Sequence, residues 1–243
     1  MSETDDASVL RPLVRASRWS VDALVMTAAV LGAVVLVLMV AVLVSWPPLL
    51  DFDSSTNVTQ LAWSASHPWA LAPARLLSVA GQAWVVVPVV GGAAWVQWRR
   101  GRSLLSWWLL ATVAAGWATT HLLKTVVQRD RPASNGTYWL ANDPSFPSGH
   151  ASVAVYGYGA LAILAWWTLS RGRRGWVATV LGLLACGIGT SRLVLTVHWT
   201  SDVVAGYLTG ATVLLLTTAW VVARAPRAVS EWSGAQRSSA VDS

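Results

Sequence analysis

Six long apolar runs, at about residues 21–46, 79–98, 104–123, 149–169, 176–194 and 203–223, constrain this chain more than any other feature of its sequence. At a rise of about 1.5 Å per residue, helices of that length cross the roughly 30 Å hydrocarbon core of a bilayer. Lipid offers the backbone no hydrogen-bond partners, so each span has to satisfy its own N–H and C=O groups, as an α-helix does. The sequence therefore predicts an all-α fold, a polytopic bundle of six transmembrane helices filling residues 21–223. A cytoplasmic arm at 1–20 and a cytoplasmic, disordered tail at 224–243 flank it. The first run is too long for the core of a secretory signal and has no small-residue cleavage site after it, so it reads as a retained anchor.

Charge placement orients the bundle. Of the 17 Lys and Arg residues, 12 fall in the N-terminal arm, the turns at 99–102 and 171–174 and the tail. The other five, Arg75, Lys124, Arg129, Arg131 and Arg192, fall on the opposite side. Basic residues are retained in the cytoplasm, so both termini are expected there, in the plasma membrane, and the minority set faces outward. The net charge of +6 does not signal nucleic-acid binding, because the arginines are scattered between apolar runs rather than gathered on one face. Many of the 17 Trp residues, among them Trp46, Trp98, Trp107, Trp108, Trp166, Trp167 and Trp176, fall near span ends, as aromatic belts do. The single cysteine, Cys186, reads as a small core residue in an apolar run.

Four of the five outward cations lie in three short stretches. Ser191 to Asp202 carries Arg192, His198 and Asp202 at a span boundary. Ionisable residues in such a place are costly and are functional candidates. The spacing of His198 and Asp202 puts a carboxylate within reach of the imidazole, on one helical face or across a turn. Such a carboxylate fixes the ring tautomer and frees the other nitrogen to attack or to shuttle a proton. A boundary salt bridge is the plain alternative. Lys124, the chain's only lysine, stands seven residues before Arg131-Pro132, and Pro147-Ser148-Gly149-His150 opens the fourth run.

Taken in order, these three stretches resemble the type-2 phosphatidic acid phosphatase superfamily over about residues 124–202. The resemblance implies a metal-free membrane lipid phosphatase. It assigns His198 as the nucleophile that forms a phosphohistidine, Asp202 as the residue that orients its ring, and His150 as the acid for the leaving group. Lys124, Arg131, Ser148, Gly149 and Arg192 become the phosphate-binding residues. The chemistry of these side chains suits that assignment. Arginine offers a planar, permanently charged fork. A helix N-terminus with free N–H groups favours an anion at Ser148 and Gly149, and Gly149 allows close backbone approach. The cations alone could be snorkelling anchors, and Ser148 could be only an N-cap. No metal is expected, since the four His residues show no ligand pattern such as His-Glu-x-x-His.

An outward-facing site in an apolar setting fits a long-chain prenyl diphosphate, hydrolysed to the monophosphate. Phosphatidylglycerophosphate, phosphatidic acid and a prenyl-linked sugar phosphate are the other lipid phosphates considered. Two further classes share parts of the pattern: a vanadium-dependent haloperoxidase, opposed by six apolar runs, and a non-catalytic lipid-binding protein, opposed by the complete residue set. Thr196 and Thr200 stand where many family members carry Gly and Pro. Threonine resists a positive φ, so a different local turn is expected at 196. Residues 47–78 read as a polar loop with a short interfacial helix broken at Pro68 and Pro73, and Pro88 as a kink in the second span. His67 reads as an interfacial residue and His121 as a packing histidine.

Overall fold

The computed structural model describes residues 18–132 and 143–241. Residues 133–142 and most of the N-terminal arm lie outside the described residues. Among those described, eight helices follow one another without a strand. They are α1 (Arg18–Leu43), α2 (Pro47–Ser66), α3 (Leu71–Ala80), α4 (Ala83–Arg99), α5 (Ser103–Val127), α6 (Gly149–Thr168), α7 (Arg171–Val194) and α8 (Thr200–Val241). Residues Ala154–Tyr158 within α6 are wound as a π-helix.

Among the described residues, four helices are long and apolar enough to cross a membrane: Val21–Leu43 of α1, α6, α7 and Thr200–Ala225 of α8. A fifth crossing is available if α3 and α4 count as one broken span, bent by 48° at Gly81-Gln82. α5 has the length, at 25 residues, but its Ser, Thr and Trp content dilutes its apolar character. The pronounced bend thus falls at Gly81-Gln82. Pro88 sits inside α4, whose helix runs on past it.

The stretch after α1 is far more helical than its prolines suggest. Pro47 and Pro48 occupy the first turn of α2, where the missing N–H groups have no intrahelical partner in any case. A 3-10 turn at Pro68–Ala70 separates α2 from α3, and Pro73 is tolerated in the first turn of α3. α2 is built inside out. Its buried residues are Asp53, Asn57 and Ser64, whereas Phe52, Val58 and Trp63 are exposed. Its exposed face mixes these apolar side chains with Asp51, Ser54, Ser55 and Thr59, and its buried stripe is polar because it meets polar groups at the start of α8, where Asp53 accepts from Ser201 and Thr56 meets Thr200. At the other end of the chain, α8 does not stop at residue 223 but continues as helical backbone to Val241.

The core lies between α4, α5, α6, α7 and α8, around Trp108, Tyr156, Leu105, Leu109, Ile188 and Val86. Trp108 is fully buried and packs on Trp167 at 4.9 Å between ring centroids, so it belongs to the core and not to a belt. Trp46, Trp98, Trp107, Trp166 and Trp176 are exposed. Cys186, expected inside, is exposed, because an almost wholly apolar helix does not reveal its inward face. Interhelical hydrogen bonds fasten the layers: Thr112 Oγ1 donates to Thr217 Oγ1 at 2.9 Å, and Tyr158 Oη to the Ala80 carbonyl at 2.7 Å. Each such bond is worth roughly 0.6–2 kcal/mol in a membrane bundle.

One contact sets the geometry of the site. α8 lies against the start of α6 with backbone nearly touching backbone. A Cβ on Gly206 would come within 2.6 Å of the Ser148 carbonyl oxygen, and one on Gly210 within 2.6 Å of that of Ser152. Only glycine fits at either position. Ser152 Oγ donates to the Gly206 carbonyl at 3.1 Å, and the Ser148 N–H to the Asp202 carbonyl at 2.9 Å.

Candidate active site

The three sequence stretches converge at one end of the bundle. Lys124 is in the last turn of α5, Ser148 immediately precedes α6, Arg192 is in the last turn of α7, and His198 lies in the turn between α7 and α8. His198 and Asp202 meet across that turn, since α8 begins only at Thr200. Six of the eight candidate residues are therefore carried by helix ends, and Arg131 and His198 by the segments adjoining them, where side chains and free backbone groups can face one space.

His198 is almost completely buried, at 1% exposure. Arg131 Nη1 lies 3.2 Å from its Nε2. A guanidinium only donates, so Nε2 is the acceptor and the ring proton sits on Nδ1. That Nδ1 faces Asp202 Oδ2 at 3.5 Å, long for a hydrogen bond. The same carboxylate oxygen already accepts the Trp199 N–H at 3.0 Å, in the manner of a capping box closing the start of α8. Burial first, then the charges of Arg131, Arg192 and Lys124, push the His198 pKa well below its ordinary value, against the weaker pull of Asp143. The ring is therefore held neutral.

The cations gather around it. Arg131 also donates from Nη1 to the Val197 carbonyl at 2.8 Å. Arg192 is buried and donates from Nη1 to Ser78 Oγ on α3. The Lys124 ammonium donates to the Pro144 carbonyl and sits 2.8 Å from Asp143 Oδ2, while Arg131 Nη2 is 2.7 Å from Asp143 Oδ1. Asp143 thus lays one carboxylate oxygen on each of two cations. Burial alone would raise its pKa, but Lys124 and Arg131 together outweigh that and hold it at about 2.

Across from His198, Ser148 stands at the N-cap position of α6, yet its hydroxyl makes no capping bond and is buried without a partner. His150 Nε2 is likewise buried and unpartnered. His150 follows Ser148, whose N–H donates to the Asp202 carbonyl at 2.9 Å, so it stands on the segment packed against the turn that carries His198. Gly81, at the α3–α4 break, makes room there, since a Cβ would come within 3.3 Å of the His150 ring and 2.3 Å of Ile188. At Gly149 a Cβ would meet only Lys124 Cε, at an ordinary 3.7 Å. Packing therefore does not itself demand glycine at this position.

Two histidines lie apart from this cluster. His67 stacks on Trp63 at 4.6 Å and shares Nδ1 with the Trp63 carbonyl. His121 is exposed beside Trp117, with Nδ1 2.9 Å from the Trp117 carbonyl. Thr196, expected to resist a left-handed turn, adopts it with φ 54°. Thr200 Oγ1 meets Thr56 Oγ1 and Gln60 Nε2 of α2, each at 3.0 Å. The sequence reading passed over Asp53, Ser78, Gly81 and the Gly206–Gly210 pair. The last two carried a legible signal, small residues four apart in an apolar run. Asp53 carried none.

Residues 105–226 match the PAP2 superfamily. An Escherichia coli (strain K12) protein provisionally named undecaprenyl-diphosphatase YbjG is 30% identical over 149 residues, 60% of this chain and 70% of that one. Decaprenylphosphoryl-5-phosphoribose phosphatase of Mycobacterium tuberculosis (strain ATCC 25618 / H37Rv) is 34% identical over 158 residues, 60% of this chain and 78% of that one. In fold, the chain is similar to the crystal structure of a transmembrane PAP2 type phosphatidylglycerolphosphate phosphatase from Bacillus subtilis. The TM-score is 0.69 at 22% identity, over 80% of this chain and 95% of that one.

Proposed function

The chain belongs to the PAP2 superfamily and is a membrane phosphatase, a phosphoric-ester hydrolase, and from that premise we propose that it hydrolyses a prenyl diphosphate to the monophosphate through a phosphohistidine. The observation that carries this reading is the His198 ring. It is buried and neutral, its Nε2 is the acceptor, its Nδ1 faces Asp202, and it lies within the field of Arg131, Arg192 and Lys124.

In the proposed reaction, Lys124, Arg131 and Arg192 hold the non-bridging oxygens of the terminal phosphoryl group, with Ser148 Oγ and the free N–H groups at the start of α6 beside them. His198 Nε2 attacks phosphorus and the bond to the bridging oxygen breaks. His150 gives that oxygen its proton, so the lipid monophosphate leaves without developing a full negative charge on the broken bond. The imidazolium formed on His198 keeps its Nδ1 proton toward Asp202. Water then attacks the phosphohistidine, gives a proton to His150 and releases inorganic phosphate.

The polyprenyl tail rests on the two relatives, both named for polyprenyl lipids, and on the apolar surround of the helices, while the diphosphate headgroup rests on the first of them alone. The topology we propose counts six spans, α1, α4, α5, α6, α7 and α8. The bias of 12 cationic residues against 5 supports cytoplasmic termini and a site open to the outer side of the plasma membrane. The test is phosphate release by the purified protein in detergent, with chelator present, across a panel of prenyl diphosphate, prenyl-linked sugar phosphate, phosphatidylglycerophosphate and phosphatidic acid. Prenyl diphosphate should give the highest kcat/KM, and His198→Ala should lose more than about 10³-fold while remaining folded. A higher kcat/KM for phosphatidylglycerophosphate would overturn the substrate assignment. Loss of activity with chelator would overturn the metal-free mechanism.

A further inference from the structure

Behind His198 lies an ion network in which none of the proposed phosphate ligands takes part. Arg129 Nη1 donates to Asp202 Oδ1 at 2.9 Å and to Ser201 Oγ at 2.8 Å. Its Nη2 donates to Asp53 Oδ2 at 2.7 Å. The Trp199 ring covers the guanidinium, 5.2 Å from its carbon, and only 9% of the side chain is exposed. Arg129 is therefore turned away from the phosphate ligands, with its donors committed to the rear of the His198–Asp202 pair.

Asp53 reaches this point from α2. It accepts the Ser201 N–H at 2.9 Å through Oδ1 and the Ser201 hydroxyl at 2.5 Å through Oδ2. A carboxylate from a distant helix thus caps the N-terminus of α8, where negative charge is favoured. Asp53 and Asp202 are both at most 1% exposed, and one guanidinium bridges them. Two buried carboxylates this close need that cation, and the cation in turn fixes where the Asp202 carboxylate points. Asp202 Oδ1 is taken by Arg129 and Oδ2 by the Trp199 N–H, so the plane that faces His198 Nδ1 has no freedom left.

We propose that Arg129, just past the end of α5, and Asp53, from α2, are positioning residues, a clamp that holds the Asp202 carboxylate in the plane required to orient His198 for attack. The proposal rests on His198 being the nucleophile, and the experiment separates the two ideas. Asp53→Asn and Arg129→Lys are conservative variants that keep partial bonding, which guards against gross unfolding. For each, the steady-state kinetics and the rate of formation of an acid-labile phosphoryl linkage on the protein are measured with a prenyl diphosphate. The binding of inorganic phosphate and the melting temperature are recorded alongside.

Both variants should slow linkage formation and kcat by about 10- to 100-fold, the scale on which groups behind a reactive ligand act. KM and phosphate affinity should stay within about threefold, because no phosphate contact is lost. The double variant should be no slower than the slower single one, since both residues act through a single carboxylate. Rates within about twofold of wild type per folded molecule, even with a lowered melting temperature, would overturn the proposal and leave the network a purely structural one. A raised KM with unchanged kcat would overturn it too, by making Arg129 a phosphate ligand. If wild type forms no linkage and His198→Ala still turns over, the nucleophile assignment falls and the clamp falls with it. Wild-type linkage rates in Asp53→Asn would sink the clamp alone.

Discussion

The two ends of the helical bundle use arginine in opposite ways. At the end bearing the site, Arg129 and Arg131 reach carboxylates at 2.7–2.9 Å, and their side chains are only 9% and 11% exposed. At the far end, Arg99, Arg174 and Arg224 lie over Trp95, Trp166 and Trp220, with the guanidinium carbon 5.8, 4.5 and 4.8 Å from the ring centroid. The first arrangement takes charge out of water and needs counter-charge to survive there. The second leaves the charge stacked on an indole face, the pairing of residue types that membrane-interface anchors use. Backbone conformation divides the same way. The described non-glycine residues with positive φ, Ser45, Gln128 and Thr196, all lie at the site end, whereas the far end turns at Gly101. Burial, counter-charge and strain are concentrated where chemistry is expected.

The contrast is most easily broken by exchanging the demands on each end. Arg131→Ala removes a donor to both Asp143 and His198 and should cut kcat/KM for the prenyl diphosphate by about 10²- to 10³-fold. A loss under tenfold would make Arg131 an anchor like those of the far end. Acidity gives the next largest effect. Burial and three cations hold the His198 pKa down, so the reactive neutral form is fully present above that depressed value and is lost as pH falls through it. The acid limb of kcat/KM, corrected for ionisation of the substrate, should therefore lie below pH 6.5, falling about tenfold per unit. A limb centred at or above 6.5 would show a solvated ring.

Asp143 offers a gentler test. Its carboxylate stays ionised down to about pH 2 and occupies two cations that the phosphate would use. Asp143→Asn should lower KM by about two- to fivefold, the worth of a half-exposed ion pair, with kcat unchanged. Thr196→Gly should relieve a left-handed β-branched residue, raising stability by about 1–3 kcal/mol in a thermal melt. At the far end, Arg174→Gln should move kcat/KM by less than twofold and stability by about 0.5–1 kcal/mol, the scale of an exposed cation–π pair.

What the sequence made legible follows the same division. Lys124, Arg131, Ser148, His150, Arg192, His198 and Asp202 each sit in a short run with fixed internal spacing, so their convergence could be anticipated without coordinates. Asp53 and Ser78 could not, because their partners Ser201 and Arg192 lie more than a hundred residues away and no local pattern marks the pairing. α2 was misread for a physical reason. Its prolines sit in first turns, where a helix tolerates them, and its buried polar residues bond to Thr200 and Ser201 at the start of α8, partners that no local pattern reveals. Cys186 and Trp108 erred in opposite directions, one exposed and one buried, because an apolar run does not say which of its faces meets protein. Thr196 shows that a turn dictated by its neighbours can overrule a residue's own preference.

The glycine contact between α6 and α8 has a mechanical consequence. With main chain against main chain at Ser148 and Gly206, no soft side chain remains to absorb sliding, so the segment bearing His150 and the segment bearing Asp202 travel as one block. The bent joint at Gly81-Gln82 closes on the same region from another side, next to His150 and tied to Arg192 through Ser78. The fused pair thus works as a rigid jig, holding the strand of chain that carries one imidazole at a set spacing from the carboxylate that aims the other.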